Sequence, residues 1–148
     1  MNNLSNGSAE NRSAIHFEWT ESMSVGEIVI DAKHQKLLAQ LNKVIDAMVF
    51  GAASIEVAEA LGFFEHYVSG HLAYEEAYMQ RRGYNDIVEH KKKHQKFRDT
   101  YADFKKKLDS GATSTNTLVE MEGFLGQWWI EHIGHEDQKY YLALGGDR

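Results

Sequence analysis

No cysteine occurs among the 148 residues. That excludes disulfides and thiolate metal ligands together, and it accords with a reducing cytoplasmic setting. Proline is absent too, so no imino ring interrupts a helix from within. No apolar run approaches the roughly 20 residues that a membrane-spanning helix needs. Residues 1–12 are rich in Asn and Ser and have neither a basic start nor an apolar stretch of signal-peptide type. Positive charge is scarce: 16 Lys and Arg stand against 22 Asp and Glu, for a formal net charge of −6. This balance argues against a nucleic-acid partner and against docking on anionic lipid. The basic runs Lys91–Lys93 and Lys105–Lys107 read as solvated helix faces.

Histidine is present in quantity, at eight residues. With hydrophobic residues at 43%, the length suits one domain with a sizeable core. Residues 1–21 read as a flexible N-terminal arm with docking points at Phe17 and Trp19, followed by a four-helix unit over residues 22–148. Apolar residues recur at gaps of three and four in four segments, the period of a buried helical stripe. The first helix starts near Asp31, with the stripe Ile30, His34, Leu37, Leu38, Leu41, Ile45, Met48. The second is capped by Ser54 after a turn at residues 51–53 and runs to about Arg82. Its stripe is Leu61, Phe64, Val68, His71, Glu75, Tyr78. Gly83 is placed to end it in the left-handed conformation, and Asp86 to cap the third helix. That helix carries Ile87, His90, His94, Phe97, Tyr101, Phe104, Leu108 and ends near Gly111. After a link at residues 113–116, the fourth has Leu118, Met121, Leu125, Trp128, His132 and then Glu136 or Tyr140.

Histidines and a glutamate thus occupy core slots. His90 and His94, and likewise His71 and Glu75, are four apart and share a helix face. A buried polar group without a partner costs on the order of 1–3 kcal/mol, and buried Glu is rare unless paired or ligating. Four amphipathic helices with short links predict an all-α, up-down-up-down antiparallel four-helix bundle. In that topology the start of the first helix, the end of the second, the start of the third and the end of the fourth lie together. His34, His71, Glu75, His90, His94 and His132 then form one layer. Asp137 is a further carboxylate, but five residues carry it about 140° past a full circle from His132. It would reach inward only from the flank, and Glu136 is its rival by spacing. Any single core histidine is more simply hydrogen-bonded than metal-bound; the agreement across four helices is what points to a metal. Zinc prefers four ligands, so a larger donor set favours a dinuclear, higher-coordinate centre. His16, His66 and His135 fall outside the layer, and Trp128 and Trp129 read first as packing.

The ordered set Ile30-Asp31-Ala32-Lys33-His34, His71-x-x-x-Glu75, His90-x-x-x-His94 and His132-x-x-x-x-Asp137 resembles the hemerythrin pattern, most closely that of the bacterial single-domain hemerythrins (bacteriohemerythrins). The resemblance runs from about Trp19 to Tyr141. It implies two iron ions per chain, as Fe2+ or Fe3+, with a bridging oxo or hydroxo group and O2 as a reversibly bound ligand. It implies metal ligation by His34, His71, Glu75, His90, His94, His132 and Asp137, with Glu75 and Asp137 bridging, so it favours Asp137 over Glu136 and Glu75 over Glu76. Such a ligand set leaves one coordination position open on two six-coordinate irons. Trp128, by resemblance, and Phe97, by its stripe position, are candidate walls of an O2 pocket.

The function expected is oxygen storage, delivery or scavenging rather than enzymatic turnover. The chain is expected to act as a cytoplasmic monomer, with room for an unidentified protein partner. An O2 or redox sensor and a di-iron enzyme acting on peroxide or nitric oxide are the alternatives. No signalling domain accompanies the bundle in these residues, which disfavours the sensor. Gly134 keeps the enzyme in play, because the family often has a bulky apolar residue two positions after this histidine. Gly134→Leu is therefore expected to slow autoxidation of the iron-loaded protein. Absorbance followed in air checks this, and an unchanged or faster rate counts against an opening at residue 134.

Overall fold

The computed structural model describes residues 16–49, 54–110 and 115–145. It is an antiparallel four-helix bundle, and no strand occurs among the described residues. Helix α1 spans Ile28–Val49, α2 Ser54–Arg82, α3 Ile87–Asp109 and α4 Thr115–Glu131. The fourth rod continues through a π-helical turn, His132–Glu136, into the short helix α5, Asp137–Ala143. A 3-10 turn at Glu21–Met23 precedes α1.

The α1 stripe is buried as the sequence predicts, from Ile30 and His34 through Met48. Helix α1 begins three residues earlier than expected. Asp31 lies inside its first turn and accepts from Ser24 Oγ at 2.5 Å and from the Val25 amide at 2.9 Å, tying the incoming chain to the helix start. The predicted turn at residues 51–53 and the first half of the link at 113–116 lie outside the described residues. Gly83 has φ of +69°, and the Tyr84 amide donates to Met79 O at 3.0 Å, the closing bond of a Schellman cap. Asp86 occupies the cap position of α3, but its side chain makes no capping bond.

In the fourth helix, Trp129 rather than Trp128 takes the core slot after Leu125. Trp129 is fully buried and Trp128 is half-buried. Met79 similarly displaces Tyr78 from the α2 stripe. The arm docks where expected: Phe17 and Trp19 pack on the main core. The Phe17 amide donates to Asn42 Oδ1 at 2.8 Å, and Asn42 Nδ2 donates back to Phe17 O at 2.9 Å.

Two apolar clusters make the core. The larger runs from Met48 and Val57 to Leu37, Leu72, Phe97 and Trp129. The smaller, at the opposite end of the bundle, contains Val25, Ile30, Met79, Tyr84 and Tyr140. Between them lie the buried polar residues.

Gly26 joins the 3-10 turn to α1 with φ of +71°, and a Cβ there would lie 2.7 Å from the Tyr141 ring. The left-handed conformation alone costs a non-glycine residue roughly 1–2 kcal/mol. Gly26→Ala is expected to destabilise the protein by at least about 1 kcal/mol, read from the urea unfolding midpoint.

Candidate metal centre

Four helices supply the seven buried polar side chains, and antiparallel packing decides where they meet. His34 comes from the early turns of α1, His71 and Glu75 from the second half of α2, and His90 and His94 from the early turns of α3. His132 and Asp137 come from the two ends of the π turn. None of the seven is more than 3% exposed.

The π turn changes the geometry expected at its two ends. In regular α winding the two residues do not stack. Here the Asp137 amide donates to His132 O, a bond across five residues. This wider turn absorbs the additional residue, so Asp137 is fully buried and faces the imidazoles directly rather than from the flank. Glu136 is left pointing outward, held by Lys93 and Lys139.

Two groups of donor atoms result, each with all its atoms within 4.8 Å of one another. One joins His90, His94 and His132 with Glu75 and Asp137; the other joins His34 and His71 with the same two carboxylates. Each carboxylate turns one oxygen to each group. Glu75 Oε1 is 2.8 Å from His90 Nε2 and 3.1 Å from His94 Nε2. Its Oε2 is 3.2 Å from His71 Nε2 and 3.5 Å from His34 Nε2. Asp137 Oδ1 is 3.0 Å from His132 Nε2 and 3.1 Å from His90 Nε2, while Oδ2 is 3.1 Å from His34 Nε2. Within the groups, His94 and His132 bring their Nε2 atoms to 2.9 Å, and His34 and His71 to 3.1 Å.

These spacings fit a cation in each group. Two donors at right angles, each about 2.1 Å from an ion, stand about 3 Å apart. Direct hydrogen bonding accounts for them less well. Neither oxygen of Asp137 has a hydrogen-bond partner among the described residues; the imidazoles are at ion-pair distance but not at hydrogen-bond angles. A buried carboxylate left in that condition is costly, and positive charge placed between the donors removes the cost. The donor set is nitrogen and oxygen only, which suits iron among other first-row metals.

Protons compete for the same atoms. Burial works to lower the pKa of His34, yet Asp137 and Glu75 outweigh it and raise it to about 9. The same opposition raises His90 to about 10 and lifts His132. His71 goes the other way, lowered by burial and then by neighbouring His34. Burial acts to raise Glu75 and Asp137, but the surrounding imidazoles hold both well below the ordinary carboxylate range. The Tyr140 hydroxyl donates to Glu75 Oε2 at 3.3 Å. Burial, and then the charge of Glu75, push that phenol well above its usual value.

Of the two expected pocket walls, Trp128 lies against the centre, and Phe97 packs on the two tryptophans. Trp128 stacks on His132, with centroids 4.4 Å apart and planes within 12°, so it covers the three-histidine group. Phe97 packs on Trp128 at 4.5 Å and on Trp129 at 5.2 Å. Trp129 is nearest the two-histidine group, 5.9 Å from His71. Its four-residue step beyond Leu125 signals a core position, as the three-residue step to Trp128 also does, and Tyr140 stands in the sequence as one possible end of the same stripe. His135 and His66 are exposed, and exposed His16 pairs with Asp46 at 2.7 Å. Gly134 is exposed, and a Cβ added there meets nothing within 4 Å. A surface groove of about 240 Å³ between α3 and α4 reaches Trp128 and His132, with Lys93, Lys96 and Glu136 at its rim.

Residues 26–144 match the family described as hemerythrin HHE cation binding domain. A bacteriohemerythrin of Methylococcus capsulatus (strain Bath) is 32% identical over 114 residues, which is 77% of this chain and 85% of that one. A bacteriohemerythrin of Pseudomonas aeruginosa (strain LESB58) is 28% identical over 129 residues, 87% of this chain and 82% of that one. A crystal structure of a hemerythrin carrying a single substitution superposes with a TM-score of 0.77 at 28% identity, covering 90% of this chain and all of the other.

The raised histidines set a pH signature for protein stripped of metal by a chelator. Because their folded values exceed 6.5, His34 and His90 contribute stability fully below 6.5. That contribution is lost as pH rises through about 9 and about 10. Glu75 and Asp137, held low, contribute above the ordinary carboxylate range and lose their contribution on acidification. Urea midpoints under chelator should therefore fall on both sides of a maximum lying between those ranges. A midpoint that stays flat from pH 6.5 to about 10 contradicts the assignment.

Proposed function

This chain belongs to the hemerythrin HHE cation-binding family, and on that premise we propose that it binds O2 reversibly at a centre of two iron ions, for oxygen storage, delivery or scavenging. The observation that carries the reading is the unequal division of donors. Three imidazoles face one side of the carboxylate pair and two face the other. With both carboxylates shared, the His34–His71 side has one protein donor fewer, and an external ligand finds its position there. When bound, a pair of irons supplies reversible electron transfer to O2, which no side chain of this chain provides.

The chain's own residues hold, tune and shield. Glu75 and Asp137, each with one oxygen toward each donor group, would be shared between the two ions, and the five imidazoles would supply the nitrogen donors. Di-iron enzymes on ferritin-like bundles use more carboxylate, commonly a Glu from each of two helices and Glu-x-x-His from the others. The imidazole-rich set here offers fewer anionic donors to stabilise high oxidation states. This favours binding and release of O2 over its use as an oxidant, and so a carrier over an enzyme. Tyr140 holds Glu75 in place through its hydroxyl. The apolar clusters on either side keep water from the bound ligand. No helix among the described residues is long and apolar enough to cross a membrane.

Metal analysis with optical spectra of the reduced protein, before and after air, tests the reading. About two irons per chain and a colour that comes with O2 and leaves on its removal are expected. An irreversible change moves the assignment to peroxide or nitric-oxide chemistry or to sensing, and absence of iron uptake overturns it. Asp137→Ala, which removes one oxygen from each donor group, is expected to lower bound iron to about one per chain or less, measured on protein whose circular dichroism is unchanged.

A further inference from the structure

Glu76 follows a bridging carboxylate in sequence but points elsewhere. One residue turns about 100° around a helix, so with Glu75 facing inward, Glu76 flanks α2 on the side of α3. Its Oε2 lies 3.8 Å from His94 Nδ1 and 3.0 Å from Arg98 Nη2, and its side chain is 16% exposed. His94 and Arg98 are four apart on α3 and share a face, so Glu76 meets both from across the interface.

The protonation of His94 gives this contact its meaning. His94 turns Nε2 to the centre, 3.1 Å from Glu75 Oε1 and 2.9 Å from His132 Nε2. A neutral imidazole that offers one nitrogen as a lone pair carries its proton on the other. A ligating His94 therefore has Nδ1–H, and that atom is buried with no hydrogen-bond partner among the described residues. Nδ1 of His34 and of His71 is buried and unpartnered as well. Among the described residues, His94 alone of these three has a carboxylate oxygen within 4 Å of Nδ1.

We propose that Glu76 is a positioning residue for the centre: it accepts the Nδ1 proton of His94 when Nε2 holds metal, and Arg98 fixes Glu76 in turn. The separation of 3.8 Å exceeds a hydrogen bond, and a side-chain shift of roughly 1 Å closes it. Arg98 holds the carboxylate at 3.0 Å, beside the ring. A carboxylate behind a ligating histidine fixes its tautomer and makes it a stronger donor. The effect falls on the three-histidine group, opposite the side where O2 is received. The two sides thus differ in donor strength as well as in donor number. This inference rests on the metal-centre reading given above.

The test compares wild type, Glu76→Ala, Glu76→Gln and Arg98→Met, each loaded with iron, with Glu65→Gln as a surface control. Wild-type iron uptake is established first; a wild type that takes up no iron overturns the metal reading and this inference with it. In chelator competition, Glu76→Ala is expected to lose about 10–100-fold in iron affinity, Arg98→Met less, and Glu65→Gln nothing. The decisive readout is proton NMR of the exchangeable, metal-shifted imidazole N–H resonances, which a purely structural role would not move selectively. One such resonance should shift in Glu76→Gln and shift further or exchange away in Glu76→Ala, with the other histidine resonances in place. If Glu76→Ala does not fold, Glu76→Gln alone decides. Wild-type loading together with unchanged N–H resonances and affinity in Glu76→Gln overturns the role assigned to Glu76 and leaves the metal reading intact.

Discussion

Two carboxylates buried without solvent, each shared between two sets of imidazoles, are the constraint on which this structure depends. Glu75 and Asp137 are both 0% exposed. An anion so placed is tolerated only beside compensating charge. Metal or proton, something positive must sit among His34, His71, His90, His94 and His132. The arrangement is therefore a strongly coupled unit, in which loss of one donor changes the charge felt by all the others.

The rest of the fold serves to bring these groups together and keep them dry. Antiparallel helices place one end of each rod in a common layer. The large cluster below and the smaller cluster of Val25, Ile30, Met79, Tyr84 and Tyr140 above remove water from both faces of that layer. Lower local polarity strengthens each electrostatic contact inside. The aromatic wall is not uniform. Trp128 covers His132 and borders the outside, whereas Trp129 is interior and nearer to His71. The two halves of the centre consequently meet different surroundings, in keeping with their different numbers of imidazoles.

Much of this was legible in the sequence because helical periodicity and ligand spacing obey the same rule. His71 with Glu75 and His90 with His94 are four apart, and the apolar stripes around them announce which face is inside. The α1 stripe was readable residue by residue for that reason. Two features were harder to read. Adjacent Trp128 and Trp129 are both large and apolar, and periodicity alone does not decide between neighbours when the stripe is wide. Asp86 showed the right residue type for a cap, but side-chain geometry at a turn depends on neighbours that no local pattern contains. Glu76 illustrates a further limit. Its contact with His94 and Arg98 depends on how α2 faces α3, which a single-helix reading does not supply.

The fourth rod shows how backbone winding, and not residue chemistry alone, can be what a site demands. Between His132 and Asp137 the exposed positions Gly134 and His135 touch little, and their identity is open to change. The winding that carries them is not. Regular α winding of the same residues would swing Asp137 by about 100° and carry Tyr140 round with it, turning a shared oxygen pair away from the imidazoles. Gly134 and His135 accept replacement readily, whereas the wide turn that seats Asp137 does not accept rewinding.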